Sequence, residues 1–184
     1  MFKILLFLTV VIFCAPQFSK EAYIYKTETI HDYIVKYLEI FPNLEYAEVS
    51  AVIQKESNGR SNLITYEKSV NDYSYGIMQV RGKTLRSMGF TGDFKEILNY
   101  EYGLYWGMKF LSICKENVTR DYLRTYKVID KNIIRKRTFA TYNAGGVYWK
   151  NGHEGKKYIN HSYVRGCEWY YWKLSKYNKI SKNF

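Results

Sequence analysis

From Thr27 onward, apolar positions recur at helical spacing along almost the whole chain, which predicts a predominantly helical protein. Ile30, Ile34, Tyr37, Leu38 and Phe41 share one face of a first helix, with Thr29 placed to cap it and Pro42 to end it. Asn43 is placed to cap a second helix, on which Val49, Val52, Ile53 and Glu56 fall at i, i+3, i+4 and i+7 before Asn58-Gly59 stops it. From Ser57 to Tyr75 the period is lost among polar and turn-forming residues, so this stretch reads as a loop, of a length usually reserved for function. Lys83 to Met88 reads as a short helix closed by Gly89, and Thr91-Gly92-Asp93 as a turn that caps the next element. The strongest pattern runs from about Phe94 to Lys115. Tyr100, Leu104, Met108 and Leu111 form one stripe there, and Gly103, Gly107, Phe110 and Cys114 another beside it. A helix apolar on two adjoining faces is expected at the centre of a fold, and its two glycines, Gly103 and Gly107, suggest close backbone approach by a neighbour. Ile133 to Tyr142 forms a further helix, Asn143 to Gly155 a glycine-containing loop, and Ile159, Tyr163, Cys167, Tyr170 and Leu174 a last helix before a basic tail.

One acid stands out against this pattern. Glu56 prolongs the buried stripe of its helix, and Asn58-Gly59 puts it in the last turn, where the helix dipole opposes negative charge. Apolar surroundings and the dipole both favour the protonated carboxyl. Such an acid can protonate a glycosidic leaving group. A surface glutamate at a frayed helix end has the same spacing, and the pattern alone leaves both readings open.

The amino terminus changes the compartment. Lys3 precedes an apolar run from Ile4 to Phe13, which has the length of a signal-peptide core and is too short to span a bilayer. Residues 1–22 are therefore expected to be an export signal with an undefined cleavage point, and 23–184 a single globular domain. Export directs the protein to the periplasm, cell envelope or exterior. Cys14 leaves a lipid anchor open, and the apolar run a retained amino-terminal one. Cys114 and Cys167 are either a disulfide or two small buried hydrophobes. His31, His153 and His161 have no ligand spacing, so neither a metal nor another cofactor is expected.

Charge and aromatics narrow the partner without choosing it. The chain carries 28 Lys and Arg against 17 Asp and Glu, a net charge of +11, which calls for an anionic partner such as nucleic acid, acidic lipid or bacterial cell wall. Twenty tyrosines suit surfaces that stack on flat rings or sugar faces.

Glu56-Ser57, Gly76-Ile77-Met78-Gln79-Val80 and Ala140-Thr141-Tyr142-Asn143-Ala144-Gly145-Gly146 stand in the order and roughly the spacing of the ES, GIMQV and ATYNAGG motifs of the lytic transglycosylases. Gly107-Met108-Lys109-Phe110-Leu111 resembles the family's G-x-x-Y-L on its central helix, and Tyr163-Val164 its late Y-V. The chain from about Ala47 to Val164 thus resembles the catalytic domain of soluble lytic transglycosylases. The resemblance implies a predominantly helical, α+β lysozyme-like fold in which a groove runs past the central helix.

It also implies roles. Glu56 matches the single catalytic acid, Tyr142 the tyrosine whose hydroxyl reaches that acid, and Ser57 the serine beside it, a helix-end hydrogen bonder. Gln79 and Asn143 match polar residues of the sugar groove, Met78 an apolar residue of its floor, and Tyr163 a further groove tyrosine. The implied substrate is the glycan strand of peptidoglycan, whose acetamido group lets one acid serve where glycoside hydrolysis ordinarily uses two. A monomer is expected and nucleic acid is not. Wall turnover, a secretion or conjugation machine and a phage all remain open as settings, and the small size suits an enzyme delivered by a larger apparatus.

The chain departs from the family in the stretch after Glu56. The distance to Gly76 is long, so the family's loop serine falls on either Ser69 or Ser74, and Arg81 stands where transglycosylases carry an apolar residue and goose-type lysozymes an aspartate. Asp72 and Glu67 are the loop acids that could activate water, which keeps a hydrolytic muramidase as an alternative. A non-catalytic module that grips cell wall or nucleic acid would have the same charge and aromatics.

Overall fold

The computed structural model of the chain describes residues 20–144 and 162–180. Residues 1–19 of the proposed signal with Cys14, and Gly145-Gly146, His153, Ile159, His161 and the end of the basic tail, lie outside the described residues. Helix α1 runs Lys20–Ile40, so Thr29 lies inside it and does not start it. Helix α2 is Tyr46–Glu56 with Glu45 as its N-cap. Asn43 does not cap it. The Asn43 side chain is taken by Ser112, whose Oγ donates to Asn43 Oδ1 at 2.9 Å while Asn43 Nδ2 donates to the Ser112 carbonyl at 3.2 Å. At the start of α2 it is Glu48 that reaches back to the Glu45 N–H, at 2.9 Å, and it also pairs with Lys115 at 2.7 Å.

The stretch expected as a loop holds a small sheet. Strands β1, Ile64–Glu67, and β2, Asp72–Tyr75, form an antiparallel hairpin, and β3, Val80–Arg81, pairs antiparallel with β2. The residues responsible are Ile64-Thr65-Tyr66 and Tyr73-Ser74-Tyr75, which favour extended backbone. Four-residue strands with one exposed face leave too little alternation to read in sequence.

Helix α3, Gly82–Ser87, precedes a 3-10 turn at Phe94–Leu98, and helix α4 runs Tyr100–Tyr126. The predicted central helix is therefore broken near its start and continues further than expected. Asn99 causes the break: its backbone is extended, and its side chain accepts the Glu101 N–H at 2.8 Å, as Asp93 does for Lys95 at 2.9 Å. Helix α5, Lys131–Ala144, and helix α6, Ser162–Ile180, complete the described fold. Leu104, Met108 and Leu111 of α4 are fully buried against Val49 and Val52 of α2, Ile77 and Met78 before β3, and Phe139 of α5. Each such side chain contributes roughly 1.5–3 kcal/mol.

Two glycines set the position of the segment between β2 and β3. Gly76 has φ +74°, and a Cβ there would run into the Ile97 carbonyl oxygen. Gly107 of α4 lies under Met78, where an added Cβ would sit 2.5 Å from Met78 Cβ. The close backbone approach expected at the central helix's glycines is found at Gly103, where a Cβ would sit 2.7 Å from the Ile97 carbonyl oxygen, whereas at Gly107 the neighbour is a side chain. Cys114 and Cys167 are both free and buried, and burial pushes each thiol up to about 12.

Candidate active site

Glu56 is the last residue of α2. Asn58 at φ 52° and Gly59 at φ 78° turn the chain away immediately afterwards, leaving the carboxyl at a helix end over a cavity of about 370 Å³. Glu67 of β1, Arg81 of β3, Phe110 of α4, and Tyr142 and Asn143 of α5 share that cavity. The Glu56 pKa is raised from 4.5 to about 7, chiefly by desolvation with the negative charge of Glu67 adding to it, against the lowering effects of the Tyr163 hydrogen bond and the Lys55 charge.

Tyr163, in the first turn of α6, donates its hydroxyl to Glu56 Oε1 at 2.5 Å. Burial, and next the nearby Glu56 charge, hold the Tyr163 phenol well above its ordinary pKa, so it stays a donor. Tyr142, expected to make this contact, does not. Its hydroxyl donates to the Met78 carbonyl at 2.7 Å, while one edge of the residue lines the cavity. The sequence pairs Tyr142 with an apolar helix and a polar successor but contains no signal for which of two distant tyrosines reaches the acid. That choice depends on how α5 and α6 pack, and Tyr163 sits where α6 lies against α2.

Three further residues named from the sequence have structural partners. Ser57 is buried and donates to the Ile77 carbonyl at 2.6 Å, tying the end of α2 to the segment before β3, so its hydroxyl is not offered to a ligand. The Met78 side chain is fully buried under α4 and is not part of the cavity wall. It belongs to the core because Gly107 leaves it room there. Gln79 does line the cavity, at φ 47°, but its amide is engaged: Nε2 donates to the carbonyls of Gly76 at 2.8 Å and Leu63 at 3.1 Å, and Oε1 accepts from Thr65 at 2.7 Å. Asn143 lines the cavity and is exposed.

The loop residues sort themselves by the sheet. Ser69 and Ser74 both line the cavity. Asp72 is not part of the wall: its Oδ1 accepts the Tyr73 N–H at 2.8 Å and its Oδ2 the Lys83 N–H at 3.0 Å, which anchors the start of α3. Of the two loop acids, Glu67 is the one that faces Glu56. Arg81, which fits neither family pattern, brings a cation into the same space. Such a constellation offers one acid that still carries its proton in about half the molecules at pH 7, a tyrosine fixed on it, a second carboxylate and a positive charge around one cavity.

A family model described as Transglycosylase SLT domain matches residues 34–162, well over half of the chain and ending one position before Tyr163. No curated protein matches the chain. Together with its helical, lysozyme-like architecture and small three-stranded sheet, this match shows that the chain belongs to the SLT transglycosylase domain family, whose activity is the lytic cleavage of peptidoglycan.

Proposed function

We propose that this protein cleaves the β-1,4 bond between N-acetylmuramic acid and N-acetylglucosamine without water, with Glu56 as both acid and base. The observation that carries the reading is Glu56 itself, half-buried above the cavity, with a pKa near 7 and Tyr163 holding Oε1. A protonated Glu56 gives its proton to the glycosidic oxygen as the bond to the muramyl C1 breaks. The muramyl acetamido oxygen stabilises the cation at C1, the part a second carboxylate takes in ordinary retaining hydrolysis. Glu56, now a carboxylate, takes the proton from the muramyl 6-hydroxyl, whose oxygen closes onto C1. The acid ends as it began and a 1,6-anhydro ring is formed.

The neighbours fit this cycle. Tyr163 stabilises the transient carboxylate, and desolvation makes that carboxylate basic enough to take the proton of the 6-hydroxyl. Arg81 provides a positive charge toward the carboxylates of the muramyl lactyl group or stem peptide. Because the substrate lies outside the cytoplasmic membrane, the proposal includes export through residues 1–22 to the periplasm or cell envelope.

Hydrolysis is the second reading, favoured by Glu67, which lines the same cavity and could activate water. Clearing of purified sacculi tests the enzymatic claim: wild type lowers the turbidity and the Glu56→Gln variant does not. Equal clearing by the variant removes Glu56 from the chemistry.

A further inference from the structure

We propose that the outer face of the β1–β2 hairpin is a second glycan-binding surface, on which sugar rings of a peptidoglycan strand stack against Tyr66 and Tyr73.

The pairing register divides the hairpin cleanly. Ile64 faces Tyr75, Thr65 faces Ser74, Tyr66 faces Tyr73 and Glu67 faces Asp72, and residues directly opposed in an antiparallel pair point to the same side. On one side Glu67 and Ser74 line the catalytic cavity, and Thr65 holds the amide of Gln79. The other side carries Ile64, Tyr66, Tyr73 and Tyr75.

That second side is apolar and open. Ile64 is 47% exposed, Tyr66 51% and Tyr73 47%, a concentration of large apolar side chains on two four-residue strands that marks an interaction surface. The rings are held in place. Tyr66 and Tyr73 lie 5.0 Å apart, and the Tyr66 hydroxyl donates to Asn71 Oδ1 at 2.9 Å. Tyr73 continues to Tyr75, which stacks on Phe94 at 4.8 Å with Arg86 4.2 Å beyond. Rigid rings that carry a hydroxyl cost little entropy to use and present a flat apolar face with a polar edge. A pyranose has the complementary shape, with C–H groups on its face and hydroxyls around its rim.

Continuity and charge select the occupant. The same two strands wall the catalytic cavity, so a polymer leaving it over the Ser69-Val70 end passes directly onto the outer face. Lys68 and Lys83 stand at that end, where Lys83 Nζ donates to the Val70 carbonyl at 3.3 Å, and they meet the carboxylates of stem peptides. The identity of the polymer rests on the cleavage reading above, whereas the binding surface does not.

Co-sedimentation with purified sacculi tests the surface, in the Glu56→Gln background so that the polymer is not degraded. Replacing both rings, Tyr66→Ser with Tyr73→Ser, is expected to weaken sacculus binding about tenfold or more, while Tyr66→Phe with Tyr73→Phe keeps it within about twofold. With Glu56 intact, the serine pair is expected to cleave a short soluble glycan at the wild-type rate. Unchanged sacculus binding by the serine pair, or an equal loss in the phenylalanine pair, overturns the proposal. If wild type releases no glycan fragments while the serine pair still loses binding, the cleavage reading fails and the surface stands.

Discussion

Tyr163 Oη lies 2.5 Å from Glu56 Oε1, a hydrogen bond between groups 107 positions apart that fastens the first turn of α6 to the last residue of α2. Tyr142 is equally buried but holds the Met78 carbonyl at 2.7 Å. The two tyrosines therefore have separable effects. Tyr163→Phe removes a charge-assisted bond and should lower kcat by roughly 10- to 100-fold. Because that bond opposes the rise in the Glu56 pKa, the alkaline limb of the rate profile should also move to higher pH. Tyr142→Phe should leave the limb in place and cost about 1–3 kcal/mol of stability, since it orphans a buried carbonyl. Rate profiles and thermal melts of both variants check the assignment.

Glu67 acts on Glu56 through charge. Its carboxylate raises the Glu56 pKa, so Glu67→Gln should lower it and bring the alkaline limb to lower pH. The same variant probes the hydrolytic reading. A base that activates water would take the rate down with it, whereas a neighbour that only tunes Glu56 shifts the profile and spares the rate at acidic pH.

A half-buried, desolvated acid also costs stability. The folded-state pKa of Glu56, about 7, stands above the ordinary 4.5, so between these values the folded protein keeps a proton that the unfolded chain releases. Stability from this group is full below pH 4.5, falls as pH rises, and reaches its minimum above about 7. Glu56→Gln should therefore be more stable than wild type by about 2–3 kcal/mol at pH 8, with no gain at pH 4. Denaturant titrations at the two pH values give the comparison.

The segment that carries Met78 is held by packing as well as hydroxyls. Gly107→Ala would push a methyl group into Met78, and overpacking of this kind costs about 1–3 kcal/mol. Ser57→Ala should cost a similar amount, about 1–3 kcal/mol, because the buried Ile77 carbonyl loses its donor. Melting temperatures falling together with activity would tie the position of this segment to the site.

How far the sequence could be read depended on the range of the interactions involved. The apolar stripe of Val49, Val52, Ile53 and Glu56 is local, and it gave both the helix and the placement of the acid at its end. Gly107 was legible as a close approach because glycine weakens the interior of a helix and is kept there where a neighbour needs the room. The break at Asn99 was missed because the apolar period continues through it, while the cap that decides it is a single side chain. The hairpin is hard to read because Ile64-Thr65-Tyr66-Glu67 and Asp72-Tyr73-Ser74-Tyr75 alternate over only four residues each, too few to stand out among the polar turn residues around them. Met78 and Tyr142 were misplaced in role because both fit a groove and a core equally well until α4, α5 and α6 are packed. Tyr163 reaches Glu56 by tertiary packing alone, and no spacing in the chain encodes it.

The central claim is that Glu56 alone takes a proton through both halves of the reaction. Mass spectrometry of the muropeptides released from purified sacculi tests it most directly. Wild type should give 1,6-anhydromuramyl ends, lighter by one water than the reducing-end products of hydrolysis, and Glu56→Gln should give none. Reducing ends from wild type, or anhydro ends from the variant, would contradict it.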